Sequence, residues 1–192
     1  TKYFFQTSFI NRYIWKKIPL ITFFTVTEKQ KFEKRMKIKF KKNQVSIEDV
    51  SKDFNDFTKN SMADSRKKLG IETDKKIFLC LGFIASTKGF DIVLDLFLKN
   101  YFNNSYLYIV GSVRLENDVS SKSYLEMMKL KSKSSKNIKI IDKYLSYEDF
   151  DNWIISSDYI IFPYREISNS GVLGRAKIFN KKVIVSRAGG LK

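Results

Sequence analysis

Two short stretches of this 192-residue chain carry residue types suited to holding a phosphate group. The first is Gly82-Phe-Ile-Ala-Ser-Thr-Lys88-Gly89, where a lysine and then a glycine follow an apolar run. The lysine would supply charge, and a helix opening just after the glycine would supply unpaired backbone N–H groups. The second is Ser168-Asn169-Ser170-Gly171-Val172, which sets N-cap side chains and a glycine ahead of a helix-compatible segment. First-turn amides of such a helix have no acceptor within it, and its dipole favours an anion there. Gly82 and Gly111, each at the end of an apolar run, let a ligand approach the backbone closely. Each feature has a plainer alternative: a surface lysine ahead of a helix, or a glycine that merely ends a strand. The Lys88 loop is neither a P-loop nor the dinucleotide G-x-G-x-x-G.

Composition removes other chemistries. The chain has no histidine, which excludes a Ser-His-Asp triad, a Cys–His pair and any His-ligated metal site. Its single cysteine, Cys80, lies in the apolar run Ile77-Phe-Leu-Cys-Leu81 and reads as a buried structural thiol. One cysteine makes no internal disulfide, so a reducing cytoplasm fits. The net charge of +16, from 36 Lys+Arg against 20 Asp+Glu, favours an anionic partner: nucleic acid, an acidic membrane surface or a phosphorylated small molecule. Simple abundance of lysine on solvated faces is the competing explanation. Eight lysines and arginines between positions 29 and 42, against Glu33 alone, admit both a solvated helix face and contact with anionic lipid head groups. No motif for reading nucleic acid accompanies them. No apolar run is long enough to span a bilayer. The N-terminal stretch lacks the order of a signal peptide, and the sequence is expected to be a piece of a longer chain.

The elements that would position these residues follow from periodicity. Phe5, Phe9 and Tyr13 predict an amphipathic helix ended by Pro19, with a strand over 20–26 behind it. Thr27 is expected to cap a helix over 28–37, and residues 43–64 to form a linker. A short helix closes at Gly70. From Lys75 onward the pattern alternates: strand 77–83, helix 90–100 with Ile92, Val93, Leu96 and Phe97 inward, strand 106–110, helix 124–130, a solvated loop over 129–136, strand 138–141, helix 147–156, strand 160–162 ended by Pro163, then the Ser170 helix and strand 182–185. Short apolar strands alternating with helices predict an α/β fold, a parallel sheet covered by helices on both faces. Ligands of such sheets bind at the carboxyl ends of the strands, where Lys88, Gly111 and Ser170 fall.

In order, Lys88-Gly89, Leu107-Tyr-Ile-Val-Gly111, Asn137-Ile-Lys-Ile140, Asp158-Tyr-Ile-Ile-Phe-Pro163-Tyr164, Ser170-Gly-Val-Leu173 and Lys182-Val-Ile-Val185 with Gly189-Gly190 resemble the donor-binding domain of GT-B glycosyltransferases, more narrowly the retaining family 4. The resemblance covers about residues 66–192. It implies a Rossmann-like donor domain over 65–192, with 1–64 as the end of the acceptor-side domain and a linker. It also implies transfer of a sugar from a nucleotide-diphosphate sugar to a lipid-linked or saccharide acceptor, without metal or other cofactor, in cell-surface polysaccharide or lipopolysaccharide synthesis. The place of work would be the cytoplasm, peripheral to the inner membrane face. Lys88 matches the lysine on the donor diphosphate, and Ser170, Gly171 and Val172 match the helix start that holds it; Tyr144 falls near the nucleobase position. The paired glutamates of the family would fall at Ile167 and Arg175, so both carboxylates are replaced, with Glu166 one residue from the first. Arg175 thus stands where a ribose-holding carboxylate is usual, which keeps a second reading open: a non-catalytic nucleotide-sugar or phosphate-binding module. A basic nucleic-acid-binding protein is the third.

Overall fold

The structure is a computed structural model that describes residues 9–48, 57–71, 74–166 and 170–188. The expected Phe5, Ser168, Asn169, Ile167, Gly189 and Gly190 lie outside the described residues. Seven strands and seven helices are described, with short 3-10 turns at Lys42–Gln44 and Ser86–Lys88.

Two sheets form, each parallel throughout. The larger has five strands: β3 (Lys76–Leu81), β4 (Ser105–Gly111), β5 (Ile138–Asp142), β6 (Tyr159–Phe162) and β7 (Lys182–Val185), in the spatial order β5-β4-β3-β6-β7. The central β3 is buried along Ile77–Leu81, as a continuous apolar run in a sheet covered on both faces requires. Its register is set by Phe78 opposite both Leu107 and Tyr159. The rings of Phe78 and Tyr159 stack at 5.0 Å. The flanking helices are α3 (Met62–Lys68), α4 (Phe90–Leu98), α5 (Val119–Ser132), α6 (Tyr147–Ser156) and α7 (Gly171–Ile178). α4 packs on α5, and α3 packs on α6. The chain runs outward from β3 to β5, then returns to β6 on the other side of β3. This reversal leaves a crevice at the carboxyl ends of β3 and β6. The α/β fold expected from the alternation is the fold observed.

Several local expectations need correction. Helix α2 (Val26–Met36) starts at Thr25, whose Oγ1 accepts the Glu28 N–H at 3.0 Å; Thr27 lies inside the helix. It ends at Lys37, which turns left-handed (φ 53°), so Phe40 lies beyond the helix yet is still buried with Phe23, Met36 and Ile38. β2 (Val45–Ile47) lies within the expected linker and pairs in parallel with β1 (Ile21–Phe23). In α1 (Phe9–Lys17), the predicted apolar stripe faces outward: Phe9 and Tyr13 are exposed, while Trp15 packs edge-on against Phe32 at 4.9 Å. α4 buries Phe90, Val93, Leu94 and Phe97 and leaves Ile92 and Leu96 exposed. α5 runs on through Ser132, so part of the lysine–serine stretch is helical. Residues 57–64, read as linker, are docked on the main domain: the Thr58 N–H donates to Asp151 at 2.9 Å, and the Asn60 amide to Asn152 at 2.8 Å.

Candidate functional site

The crevice holds a cleft of about 460 Å³. Four strand exits wall it: Gly82, Phe83 and Lys88 after β3; Gly111 at the end of β4 and Ser112 beyond it; Lys143 to Tyr147 after β5; Ser170, Gly171, Val172 and Arg175 after β6; with Phe150 from α6. Lys88, Gly82, Gly111, Tyr144, Ser170, Gly171, Val172 and Arg175, the described residues singled out from the sequence, therefore share one cleft.

Close backbone packing builds its floor. Gly111 sits at φ 148°, and a Cβ there would lie 2.0 Å from the Gly82 carbonyl oxygen. Only a residue without a side chain lets β3 and β4 exit this close together. Gly89 sits at φ 66°, and a Cβ there would meet the Pro163 carbonyl oxygen at 2.2 Å. The turn that carries Lys88 is thus pressed against the exit of β6.

Lys88 is half-buried, with its Nζ 4.1 Å from the centre of the Tyr164 ring. The ring offers the ammonium a negative π face, worth about 0.5–2 kcal/mol depending on desolvation. Burial lowers the Lys88 pKa from its ordinary value. Tyr164 itself is 2% exposed. Burial pushes its phenol up to about 12, with neighbouring Ser170 pulling weakly the other way. The phenol is therefore neutral, and among the described residues its buried hydroxyl meets no partner in full hydrogen-bond geometry, Ser170 being the nearby hydroxyl.

Helix α7 opens from Ser170, whose Oγ accepts the Leu173 N–H at 3.2 Å. The Gly174 N–H reaches the Ser170 carbonyl at 3.1 Å. Gly171 and Val172 are the two residues ahead of these, both on the cleft wall, and first-turn amides have no intrahelical acceptor. A half-buried ammonium and a helix start facing one cleft are suited to a group with two or more negative charges. Aromatic rings also line the cleft. Phe83, Tyr144 and Tyr147 are all exposed on the cleft, and the Arg114 guanidinium lies 5.7 Å from the Phe83 ring centre. Flat exposed rings of this kind suit a planar base.

Arg175 occupies the deep wall and is 4% exposed. Its Nε and Nη2 donate to the two carboxylate oxygens of Asp151 at 2.5 and 2.8 Å. The Asp151 side chain is 1% exposed, so a fully buried fork holds α7 to α6. Position 175 supplies a cation committed to a structural pair, with no carboxylate toward the cleft. Glu166 is exposed, and its backbone N–H approaches the Thr87 carbonyl at 3.4 Å. Phe83 and Ser112 fall in loops that the sequence marks without being singled out themselves, and Lys143 and Tyr147 were passed over as cleft residues; their place just past the end of β5 was the available signal. Cys80 is buried on β3, and burial pushes its thiol pKa up, which keeps it inert. Among the described residues no group of three or more Cys, Asp or Glu gathers to hold a metal ion, and no helix is long and apolar enough to cross a membrane.

No family model matches the chain, and no curated protein matches it. Solved structures do. A glycosyltransferase from Rickettsia africae ESF-5 is 17% identical with a TM-score of 0.69, over 98% of this chain and 48% of that one. A sucrose-phosphate synthase from Thermosynechococcus elongatus is 16% identical with a TM-score of 0.72, over 95% and 44%. HepE from Anabaena, solved in complex with UDP-glucose, is 13% identical with a TM-score of 0.71, over 94% and 48%. The chain spans about half the length of each of these structures. At such identities the likeness establishes the fold, the Rossmann-like α/β sheet of GT-B glycosyltransferases.

Proposed function

We propose that the cleft binds the diphosphate of a nucleotide-sugar donor, and that the parent protein transfers the sugar to a hydroxyl acceptor. One observation carries this reading: Lys88 and the first turn of α7 line one cleft at the switch point of the sheet, together with exposed aromatic rings. The presence of UDP-glucose in the HepE structure supports a donor of this class. In the proposed reaction the acceptor oxygen bonds to the anomeric carbon as the bond from that carbon to the diphosphate oxygen breaks. The leaving diphosphate gathers negative charge, which Lys88 and the Gly171 and Val172 amides stabilise. The acceptor proton passes to a leaving phosphate oxygen, so the scheme uses no enzymic general base, and direct attack by the acceptor oxygen uses no enzymic nucleophile. A retaining outcome of the family 4 kind accords with this scheme. Calorimetry with UDP- and GDP-sugars, combined with a donor-turnover assay on the intact protein, tests it: binding with turnover is expected, and absence of binding to either class refutes it.

A second reading, a non-catalytic nucleotide-sugar-binding module, is favoured by Arg175 alone, because its fork to Asp151 leaves no carboxylate at that position for ribose hydroxyls. Binding without turnover is its signature. For the setting, we propose a lipid-linked or saccharide acceptor of cell-surface polysaccharide or lipopolysaccharide synthesis, met at the cytoplasmic face of an anionic membrane. The support is α1, which exposes Phe9, Ile10, Tyr13 and Ile14 beside Arg12, Lys16 and Lys17 and adjoins the basic α2. Co-sedimentation with anionic but not neutral vesicles is expected; equal absence from both ends that idea.

A further inference from the structure

The two halves of the cleft's anion-facing wall come from different strands. Lys88 rides on the turn after β3, and Ser170–Val172 on the start of α7, which follows β6. The sheet ladder holds these strands only as far as their ends; beyond them the Lys88 turn meets the β6 exit through the Gly89–Pro163 packing and through one further, side-chain connection. Arg165 makes that connection. Its backbone N–H donates to the Thr87 carbonyl at 2.8 Å, and its Nη1 donates to the Ser86 carbonyl at 2.7 Å. Its guanidinium then forks onto Asp91 in the first turn of α4, at 2.8 Å to Oδ1 and 2.7 Å to Oδ2. Asp91 is held from its other side by Tyr124 of α5, whose hydroxyl donates to Oδ1 at 2.6 Å and accepts the Asp91 N–H at 3.0 Å. The residue before Arg165 is Tyr164, the platform under the Lys88 ammonium.

We infer that Arg165 is a positioning residue, and that its fork to Asp91 latches the β6 loop to the Lys88 turn and fixes the spacing of the diphosphate-binding wall. The inference rests on reading the cleft as a diphosphate site. A partly exposed ion pair adds little to global stability, since the Arg165 side chain is 43% exposed. Its use lies in geometry: a planar fork restrains two loops where a single lysine contact does not. Arg165 is not among the residues that line the cleft, so its effect on the site passes through Lys88.

Charge and geometry make opposite demands here, which gives a sharp test. Asp91→Asn removes a negative charge beside an anion site, so simple electrostatics strengthens anion binding. A broken latch weakens it. The probe is inorganic diphosphate, titrated into the intact protein and its variants by NMR or calorimetry, with thermal unfolding followed in parallel. Asp91→Asn and Arg165→Gln are each expected to lower affinity about tenfold, the scale of one weakened charge-assisted hydrogen bond. The double variant is expected to lose no more than either single one, because one connection is broken in each case. Arg165→Lys, which keeps the charge and loses the fork, is expected not to restore binding. Undiminished or tighter binding by Asp91→Asn, or full binding by Arg165→Lys, overturns the latch. If Lys88→Ala loses affinity while the latch variants do not, the latch alone falls. If the unaltered protein does not bind diphosphate at all, the reading of the cleft falls and takes the latch with it.

Discussion

Replacing Lys88 by alanine separates binding chemistry from folding, because the structure assigns this side chain one stabilising contact and one cleft-facing charge. The contact is the ammonium above the Tyr164 ring at 4.1 Å. Losing it costs about 0.5–2 kcal/mol of stability. That corresponds to a fall of roughly 1–8 °C in Tm for a chain of this size. The charge is worth more to the reaction. A hydrogen bond from an ammonium to a diphosphate that is accumulating charge contributes about 1.5–3 kcal/mol. Its loss therefore lowers donor kcat/KM by roughly ten- to hundredfold. Lys88→Met sharpens the comparison: it keeps much of the apolar stem over Tyr164 and removes only the charge, so Tm should move less and turnover should fall as far. The assay is donor turnover by the intact protein at several donor concentrations, with thermal unfolding of the same preparations. Unchanged kinetics in both variants would refute the role given to Lys88. A collapse of Tm matching the loss of turnover would refute the separation of the two effects.

Other expectations follow from particular contacts. Gly111→Ala places a Cβ 2.0 Å from the Gly82 carbonyl at φ 148°, so thermal unfolding should fall by on the order of 10 °C, the scale of a severe backbone clash. Arg175→Ala leaves the buried Asp151 carboxylate without its cation and should cost about 3–5 kcal/mol in denaturant unfolding, whereas Arg175→Met combined with Asp151→Asn, which removes the charge and keeps an acceptor for the Thr58 N–H, should recover part of it. Binding of UDP should also depend on pH through Lys88. Burial lowers its pKa, and the protonated form is the one that holds an anion. Affinity is therefore full below the lowered pKa and declines as pH rises through it, earlier than for an ordinary lysine. Lys88→Arg, whose guanidinium does not titrate in this range, should flatten that decline.

Much of this was legible in the residues because the signals were local. Continuous apolar runs such as Ile77–Leu81 need both faces covered, and Pro163 and Gly111 end their strands where pattern alone places the ends. The helix over 147–156 was readable from the spacing of Trp153 and Ile154, which lie on its inner face, and the structure adds Ser146, whose Oγ accepts the Asp149 N–H at 3.1 Å. Misreadings came where two local signals competed or where the deciding partner was distant. Thr25 and Thr27 both suit an N-cap; Thr25 wins because it stands three residues before Glu28, whose carboxylate turns back to the Phe24 N–H at 3.1 Å. β2 is three residues inside a polar stretch and exists because β1 supplies its ladder. The cleft could be located from the carboxyl-end loops, but its internal ties could not. Arg175 meets Asp151 across 24 positions, and Arg165 meets Asp91 across 74, spacings that no periodicity encodes. The outward face of Phe9 and Tyr13 was likewise not readable, since an apolar stripe does not say which surface it meets.

The central claim is that an ammonium and a helix start form one diphosphate site. Determining the structure of the intact protein with bound UDP tests it most directly. The diphosphate is expected within hydrogen-bonding distance, about 2.7–3.2 Å, of Lys88 Nζ and of the Gly171 and Val172 amides, with the base toward Tyr144 and Phe83. A diphosphate bound elsewhere, or one lying in the cleft yet touching neither Lys88 nor the first turn of α7, would contradict it.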